Sequence, residues 1–262
     1  ADADSEIATR LDRLTTARPV FAGLALGGGT APCIMGIVNV TPDSFSDGGA
    51  YADPRRAIEH ARTLIDAGAN IVDIGGESTR PGAESVDEAT ELARVMPVVE
   101  ALTADCVPVS IDTRRAAVMA AAIAAGAAIV NDVTALAGDP NALGVVAAVD
   151  AGVVLMHMAG NPRTMQDAPA YDDTALDIFD ALDARVAACE AAGIARDRLC
   201  VDPGIGFGKT AAHNTELLHR LALFHGLGCP VMVGASRKSF IARIAGDAPA
   251  DRRLGGSLAA AV

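Results

Sequence analysis

Short apolar runs alternate with longer amphipathic segments along most of the chain, and this alternation predicts a repeated strand–helix unit. The runs that predict strands lie at residues 34–40, 70–75, 107–112, 128–133, 153–157, 199–202 and 230–235. The segments that predict helices lie at residues 55–67, 86–102, 114–125, 174–192 and 214–224. A glycine precedes most of these strands, where it favours the left-handed turn that ends a helix.

This regular alternation favours an α/β fold of the TIM (β/α)8 barrel type. A doubly wound open sheet is the alternative, but no GxGxxG pattern follows the first strand. We expect the barrel to lack its eighth strand and helix here, because the printed sequence ends at Val262 after seven predicted strands. Residues 1–18 form a predicted N-terminal extension and residues 19–262 a single barrel domain. The glycine-rich residues 21–32 predict a hairpin or lid over the barrel floor.

Composition and charge narrow the function classes that this fold can serve. The formal net charge of −12 disfavours binding to nucleic-acid phosphates. The five cysteines lie far apart without a CxxC pair, so neither a zinc knuckle nor a disulfide framework is predicted. The Ala-rich runs are too short or too interrupted to cross a bilayer, and the first residues lack a signal-peptide pattern. We therefore expect a cytoplasmic protein that acts on small molecules.

Polar residues end several predicted strands, at the edge where parallel α/β proteins bind ligands. The residues at these strand ends are Asn39, Asp112, Asn131 and Asp202. A single aspartate in such a place is most often the N-cap of the next helix. Several such strand ends facing one mouth instead suit a ligand that presents adjacent N–H donors, because carboxylates accept such pairs well.

The loops that follow these strands add further candidate residues. The loop after the first strand contains Asp43, Phe45 and Asp47, and the loop after the second contains Thr79, Arg80 and Pro81. The seventh predicted strand leads to Ser236, Arg237 and Lys238 at the start of a helix, an arrangement that binds anions, and Ser239 follows them. Residues 203–209 contain three glycines and a lysine but lack the spacing of a phosphate-binding Walker loop. His157 is predicted to be structural, since no paired-histidine spacing accompanies it.

Together these segments resemble the dihydropteroate synthases, a pterin-binding family. The resemblance is carried by residues 35–49, 76–82, 110–113, 131–132, 202–209 and 236–239. It implies a transferase of folate biosynthesis (EC 2.5.1.15), a sulfonamide target that condenses 6-hydroxymethyl-7,8-dihydropterin pyrophosphate with p-aminobenzoate through a C–N bond. It also implies Mg²⁺ as cofactor, and a homodimer if the family's C-terminal helices are present. The Arg-x-His motif of the family's eighth strand has no counterpart within residues 1–262.

The resemblance also implies a role for each candidate residue. Asn39 is expected to bind Mg²⁺ through its amide oxygen. The expected pterin-holding residues are Asp112, Asn131, Asp202 and Lys238, with Met156 and Ile205 lining the pocket. The residues expected to frame the p-aminobenzoate pocket are Phe45, Pro81, Phe207 and Ser239, while Thr79 and Arg80 are expected to act from the loop after the second strand. The expected catalytic residues are Asp43, Asp47, Thr79, Arg80 and Lys238.

Two other function classes stay open on the sequence alone. A pterin-binding barrel of the methyltetrahydrofolate methyltransferase type needs the acidic residues at the pterin edge, but neither the loop at residues 41–49 nor the segment at residues 236–238. An inactive paralogue would bind a pterin without turning it over.

Overall fold

The computed structural model describes residues 3–18, 20–26, 32–41, 53–78, 85–160 and 164–261, and its centre is one sheet of six parallel strands in sequence order. These strands are β3 (Met35–Asn39), β4 (Ile71–Gly75), β5 (Val109–Asp112), β6 (Ile129–Asp132), β7 (Gly152–Met156) and β8 (Leu199–Asp202). An antiparallel hairpin of β1 (Val20–Phe21) and β2 (Leu24–Ala25) precedes them. Each strand of the large sheet pairs with the next along the chain, as in a βα barrel.

Helices precede, connect and follow the strands of this sheet. They are α1 (Ala3–Thr15), α2 (Pro54–Asp66), α3 (Glu88–Ala104), α4 (Ala116–Ala124), α5 (Ala142–Ala147), α6 (Thr174–Ala191), α7 (Ala211–His219), α8 (Ser239–Ala245) and α9 (Leu254–Ala259). Shorter 3₁₀ helices lie at Arg196–Arg198, Leu221–Leu227 and Ala250–Arg252. Within the described part of the chain, none of the helices has the length and apolar character that crossing a membrane requires.

The sequence places six of its seven predicted strands correctly to within about two residues, which is the usual precision of such boundaries. Residues 230–235 take the expected place beside β8 but do not form the predicted strand. Val231 makes a single parallel bridge with Val201, through Val201 N to Pro230 O at 2.9 Å and Met232 N to Val201 O at 2.8 Å. Pro230 has no N–H to extend the ladder, and Gly234 weakens a strand further along.

The predicted helix at residues 214–224 also needs correction. The helix α7 begins earlier, at Ala211, because the Thr210 hydroxyl and the His213 ring cap each other's backbone N–H groups. It ends at His219, and the tighter 3₁₀ helix Leu221–Leu227 follows. Within the predicted N-terminal extension, α1 is joined to α6 by an ion pair of 3.1 Å between Arg10 and Asp183. The division into residues 1–18 and 19–262 stays a prediction.

The two faces of the strands carry different layers of the molecule. Outward side chains such as Val72 and Ile111 pack against the helices in the main apolar core. At the lower end, inward side chains pack against Phe21 of the hairpin; they are Ile71, Ile129, Val154 and Cys200. The hairpin therefore lies over the floor, as predicted, for the described residues 20–26. Polar side chains line the upper half of the interior.

Candidate active site

Four residues of the upper interior lie in one register row across β3, β4, β5 and β6. Asn39 pairs with Gly75, Gly75 with Asp112, and Asp112 with Asn131. Register partners in a sheet point to the same face, so all four face the interior. Gly75 leaves the space between its neighbours open: a Cβ there would lie 3.4 Å from Asp112 Oδ2 and 3.6 Å from Asn39 Oδ1. The row therefore gathers amide and carboxylate oxygens at the mouth of the barrel.

Asp73 lies directly below this row and contacts it. The Asn131 Nδ2 group donates a hydrogen bond of 2.9 Å to Asp73 Oδ2, and Asp73 is 3% exposed. Its other oxygen, Oδ1, has no hydrogen-bond partner within the described ranges. Burial raises the pKa of Asp73, and the neighbouring Ser110 side chain and the hydrogen bond from Asn131 oppose that rise. Sequence reasoning missed Asp73, although the alternation within Ile71–Gly75 already predicts that it points inward.

Asp112 and Asp132 both end strands, but their side chains serve different purposes. The Asp132 carboxylate accepts hydrogen bonds from Thr134 N at 2.7 Å, Thr134 Oγ1 at 2.8 Å and Leu136 N at 2.9 Å, so it is a loop cap. No residue in the described ranges donates a hydrogen bond to the Asp112 side chain. Burial, followed by the charges of Asp73 and Asp132, raises the pKa of Asp112 well above its usual value. Asp112 is therefore the carboxylate that a ligand N–H would satisfy.

At the β8 end of the sheet, Asp202 is the carboxylate of a second polar group. Asp202 is 3% exposed, and its Oδ1 accepts a hydrogen bond of 2.7 Å from Gly204 N. Burial raises the pKa of Asp202, while the charges of Lys238 and Lys209 and the Gly204 bond oppose that rise. Met156 is the register partner of Asp202, so the two share the inward face.

Lys238 connects this group to an aromatic side chain. Its Nζ lies 4.6 Å from the centre of the Phe207 ring and donates a hydrogen bond to the Ile205 carbonyl. Burial lowers the pKa of Lys238, and the Asp202 carboxylate opposes that change. Ser239 is exposed at the first position of α8. The structure thus brings Asp202, Ile205, Phe207 and Lys238 together, as the sequence predicts.

Six predicted site residues lie outside the described residues. They are Asp43, Phe45 and Asp47 of the loop after β3, and Thr79, Arg80 and Pro81 of the loop after β4. Their predicted roles stay predictions.

Lys209 is a second buried lysine that sequence reasoning missed as a site residue. It is 3% exposed, and burial lowers its pKa to about 7. Burial and the Lys209 charge lower the pKa of His157, its neighbour, to about 3. The composition contained a signal that could have identified Lys209: the chain has 21 lysines and arginines, and its only lysines are Lys209 and Lys238. A chain that otherwise uses arginine keeps lysine at these two places.

The amide oxygen of Asn39 is a donor that suits a hard divalent cation. Mg²⁺ prefers oxygen donors and is commonly held by one or two protein groups together with substrate phosphates and water. Among the described residues, no cluster of three or more acidic, histidine or cysteine side chains could hold a metal ion. Asn39 fits such an ion as one ligand among several, with substrate oxygens supplying others.

The fold and the site together define a parallel βα-barrel enzyme that holds a small polar ligand at the carboxyl ends of its strands. Comparison with known proteins identifies the family within this class. The sequence model of the family described as "Pterin binding enzyme" matches residues 35–262. The dihydropteroate synthase of Escherichia coli (strain K12) is 50% identical over 232 residues, which cover 88% of this chain and 82% of that protein.

Solved structures agree with the sequence comparison. Xanthomonas albilineans dihydropteroate synthase with 4-aminobenzoic acid has a TM-score of 0.84 at 48% identity, covering 92% of this chain and 85% of that one. Yersinia pestis dihydropteroate synthase in a sulfonamide drug complex has a TM-score of 0.85 at 47% identity, covering 91% and 86%.

The chain belongs to the pterin binding enzymes and, within them, to the dihydropteroate synthases. It is therefore a TIM-barrel transferase of folate biosynthesis that forms a carbon–nitrogen bond. The predicted fold class and family are confirmed, and the synthase interpretation holds over the methyltransferase alternative.

Proposed function

We propose that this chain condenses 6-hydroxymethyl-7,8-dihydropterin pyrophosphate with p-aminobenzoate, which gives 7,8-dihydropteroate and pyrophosphate. The observation that supports this proposal best is the inward row of Asn39, Asp112 and Asn131, together with Asp202 at the β8 end. These oxygens and amides come from four different strands and share one interior, which suits a flat heterocycle with several polar edges.

The pterin is held by Asp112, Asn131 and Asp202. Its 2-amino-4-oxopyrimidine edge presents adjacent N–H donors, and Asp112 needs such donors because the described protein supplies none. A hydrogen bond to a charged group contributes about 1.5–3 kcal/mol, so two such carboxylates can account for tight and oriented binding. Met156 and Ile205 are buried beside them and provide apolar contacts for the ring faces.

The p-aminobenzoate ring lies at the edge formed by Phe207, Lys238 and Ser239. The Phe207 ring supplies an apolar face, while the Lys238 ammonium supplies a positive charge for an anionic substrate. The family resemblance adds Phe45 and Pro81 from the two loops.

The reaction breaks the bond between the pterin methylene carbon and the pyrophosphate oxygen, and forms a bond from that carbon to the arylamine nitrogen. The methylene carbon shares positive charge with the pterin ring, which the carboxylates of Asp112 and Asp202 stabilise. An arylamine is a weak base and attacks without prior deprotonation, so no general base is required. Asn39 would hold Mg²⁺, which supplies charge neutralisation for the leaving pyrophosphate.

The remaining predicted residues act from the loops. We assign Thr79 and Arg80 to leaving-group stabilisation, and Asp43 and Asp47 to closure of the site against water. We further propose a homodimer in the cytoplasm. The exposed apolar side chains Ile244, Leu254 and Leu258 of the last two helices offer a surface for association, and five unpaired cysteines suit a reducing compartment.

The test is pyrophosphate release from the pterin pyrophosphate in the presence of Mg²⁺, with and without p-aminobenzoate. We expect release that depends on p-aminobenzoate and on Mg²⁺, and competition by a sulfonamide. Release that does not exceed the blank would remove the proposal. Calorimetric binding of the pterin without turnover would instead indicate an inactive paralogue, and methyl transfer to a corrinoid protein would indicate the methyltransferase class.

A further inference from the structure

The Lys209 ammonium joins two loops at the top of the barrel. Its Nζ lies 3.1 Å from His157 Nδ1, 3.3 Å from the His157 carbonyl oxygen and 2.9 Å from the Phe207 carbonyl oxygen. His157 belongs to the loop after β7, and Phe207 to the loop after β8. An ammonium group has three N–H donors, and these three acceptors use all of them.

The two loops touch at the backbone as well as through this side chain. Gly204 has a φ of +71°, and a Cβ there would lie 1.9 Å from the His157 carbonyl oxygen. Only glycine allows this approach. The loop after β8 therefore contacts the loop after β7 at Gly204. Lys209, further along the same loop, makes a second contact with His157.

Other side chains hold the same loop at different atoms. Gln166 Nε2 donates to the Gly206 carbonyl at 2.8 Å, and Asn214 Oδ1 accepts from Gly206 N at 2.6 Å. The Tyr171 hydroxyl donates to the Gly208 carbonyl at 2.9 Å. Among the described residues, Lys209 is the side chain that holds the carbonyl of Phe207 itself. Without Lys209 the loop keeps these anchors, and the Phe207 N–H keeps its hydrogen bond of 3.0 Å to the Gly204 carbonyl, but no other described side chain holds the Phe207 carbonyl.

We infer that Lys209 is a positioning residue: by holding the Phe207 carbonyl against the loop after β7, it fixes the Phe207 ring beneath Lys238 and so shapes the p-aminobenzoate pocket. The inference rests on the proposed function, because Phe207 and Lys238 are proposed to frame that pocket. Lys209 itself does not touch the substrate.

The chemistry of the side chain explains why a lysine stands here. A guanidinium spreads its donors over a rigid plane, whereas an ammonium directs three donors from one atom to acceptors around it. The groups that face Lys209 are His157, Asp202 and Lys238; the Asp202 charge favours the protonated amine, and burial and the Lys238 charge oppose it. His157 is neutral, because its pKa is lowered to about 3; when Lys209 is protonated, His157 accepts through Nδ1 and carries its own proton on Nε2.

The kinetic test compares Lys209→Met with Tyr171→Phe, which removes a hydrogen bond from the same loop one residue away. For Lys209→Met we expect the KM for p-aminobenzoate to rise by about tenfold, with a change of less than about twofold in the KM for the pterin pyrophosphate. Tyr171→Phe should leave both values near wild type. Equal effects of the two variants would mean general loosening of the loop and would overturn the inference.

A double-mutant cycle tests the route through Phe207. If Lys209 acts by placing that ring, Lys209→Met should add little to the effect of Phe207→Leu on the KM for p-aminobenzoate. Fully additive effects contradict this route. Lys209→Arg should behave like Lys209→Met, because its planar fork cannot serve the three acceptors; full recovery of the wild-type KM by Lys209→Arg counts against the inference.

A measurement without substrate separates this inference from the proposed function. The chain has only two lysines, so ¹³C-labelled lysine gives two side-chain signals, and Lys209→Met leaves Lys238 alone. The ring current of Phe207 shifts the Lys238 signal, and Phe207→Leu gives the value without the ring. We expect Lys209→Met to move the Lys238 signal towards the Phe207→Leu value. If the Lys238 signal stays at the wild-type value, the inference is wrong, even when the enzyme is active. If the signal shifts as expected in an inactive enzyme, the inference is supported although the proposed function has failed.

Discussion

Asn131 on β6 reaches across β5 to Asp73 on β4, where its amide donates a hydrogen bond of 2.9 Å to a carboxylate that is 3% exposed. The same amide still has its oxygen and a second N–H for a ligand. One side chain therefore serves both the fold and the proposed pterin site, and a change at residue 131 has a cost in stability as well as in binding.

Asn131→Ala should lower the free energy of unfolding, because the Asp73 carboxylate loses its donor while it stays buried. The expected loss is about 1–3 kcal/mol at about pH 8. The loss should shrink at about pH 5, because Asp73, whose pKa is raised by burial, then carries a proton more often. Urea unfolding at both pH values measures this. Asn141→Ala, at an exposed residue whose side chain makes no capping bond, is the control. An equal loss at both pH values would contradict this account.

Asp112→Asn should make the free protein more stable at about pH 8 while it weakens pterin binding. The folded protein raises the pKa of Asp112, so this group's contribution is fully present below the unfolded pKa and is lost as pH rises through the folded pKa. Removing the charge should therefore add about 1 kcal/mol at about pH 8 and flatten the pH dependence of unfolding. Thermal unfolding between about pH 4 and 8, with calorimetry of pterin binding, measures both effects.

Asp132→Asn is the matched comparison for that experiment. Its carboxylate accepts hydrogen bonds from Thr134 and Leu136, and an amide cannot accept through both of its heavy atoms. This variant should lose about 1–2 kcal/mol of unfolding free energy. If both asparagine variants stabilise the protein, the distinction between a ligand-binding and a capping aspartate is wrong.

Asp202→Asn should keep the fold and lose affinity for the pterin. Asparagine retains an Oδ1 that can accept from Gly204 N, so the local turn survives. The charge-assisted bond to the ligand is lost, which should weaken binding by about 1–3 kcal/mol. Calorimetry with the pterin measures the change, and a melting temperature near wild type shows that folding is intact. Unchanged affinity would reduce Asp202 to a cap.

Two neighbouring arginines should differ strongly in their contribution to stability. Arg115 pairs with Glu91, whose side chain is 1% exposed, and with Glu77 at 2.7 Å. Arg115→Met leaves a buried carboxylate without its partner and should cost about 3–5 kcal/mol. Arg114 has a side chain that is 39% exposed and, among the described residues, forms an ion pair with Glu77 alone, so Arg114→Met should cost less than about 1 kcal/mol. Urea unfolding of both variants measures the two losses of unfolding free energy. Similar losses would mean that the burial of Glu91 does not affect stability.

The sequence predicts the strands well because parallel strands buried on both faces need apolar runs, such as those ending at Asn39, Asp112 and Asp202. It also identifies these three end residues as site candidates. The prediction of a strand at residues 230–235 fails for a local reason. These residues include several with high β propensity, but Pro230 has no N–H to donate to the ladder. Hydropathy alone therefore predicts a strand here, whereas the available hydrogen-bond donors do not support one.

The geometry of the site needed information that no single segment contains. Register between strands decides that Asn39, Gly75, Asp112 and Asn131 share a row, and sequence spacing does not reveal register. Asp73 was not among the predicted site residues, because its contact with Asn131 depends on the register between β4, β5 and β6. The contact of Lys209 with His157 joins residues 52 positions apart and depends on how two loops fold against each other.

The row from Asn39 to Asn131 has a consequence for how this gene can vary. Gains and losses of residues in connecting turns are absorbed locally, since pairing between strands is unaffected. Deletion of one residue within β3 would instead turn Val38 towards the cavity and Asn39 towards the helices. We therefore expect natural length variation in related genes to avoid the strands, even where hydrophobic character would be preserved.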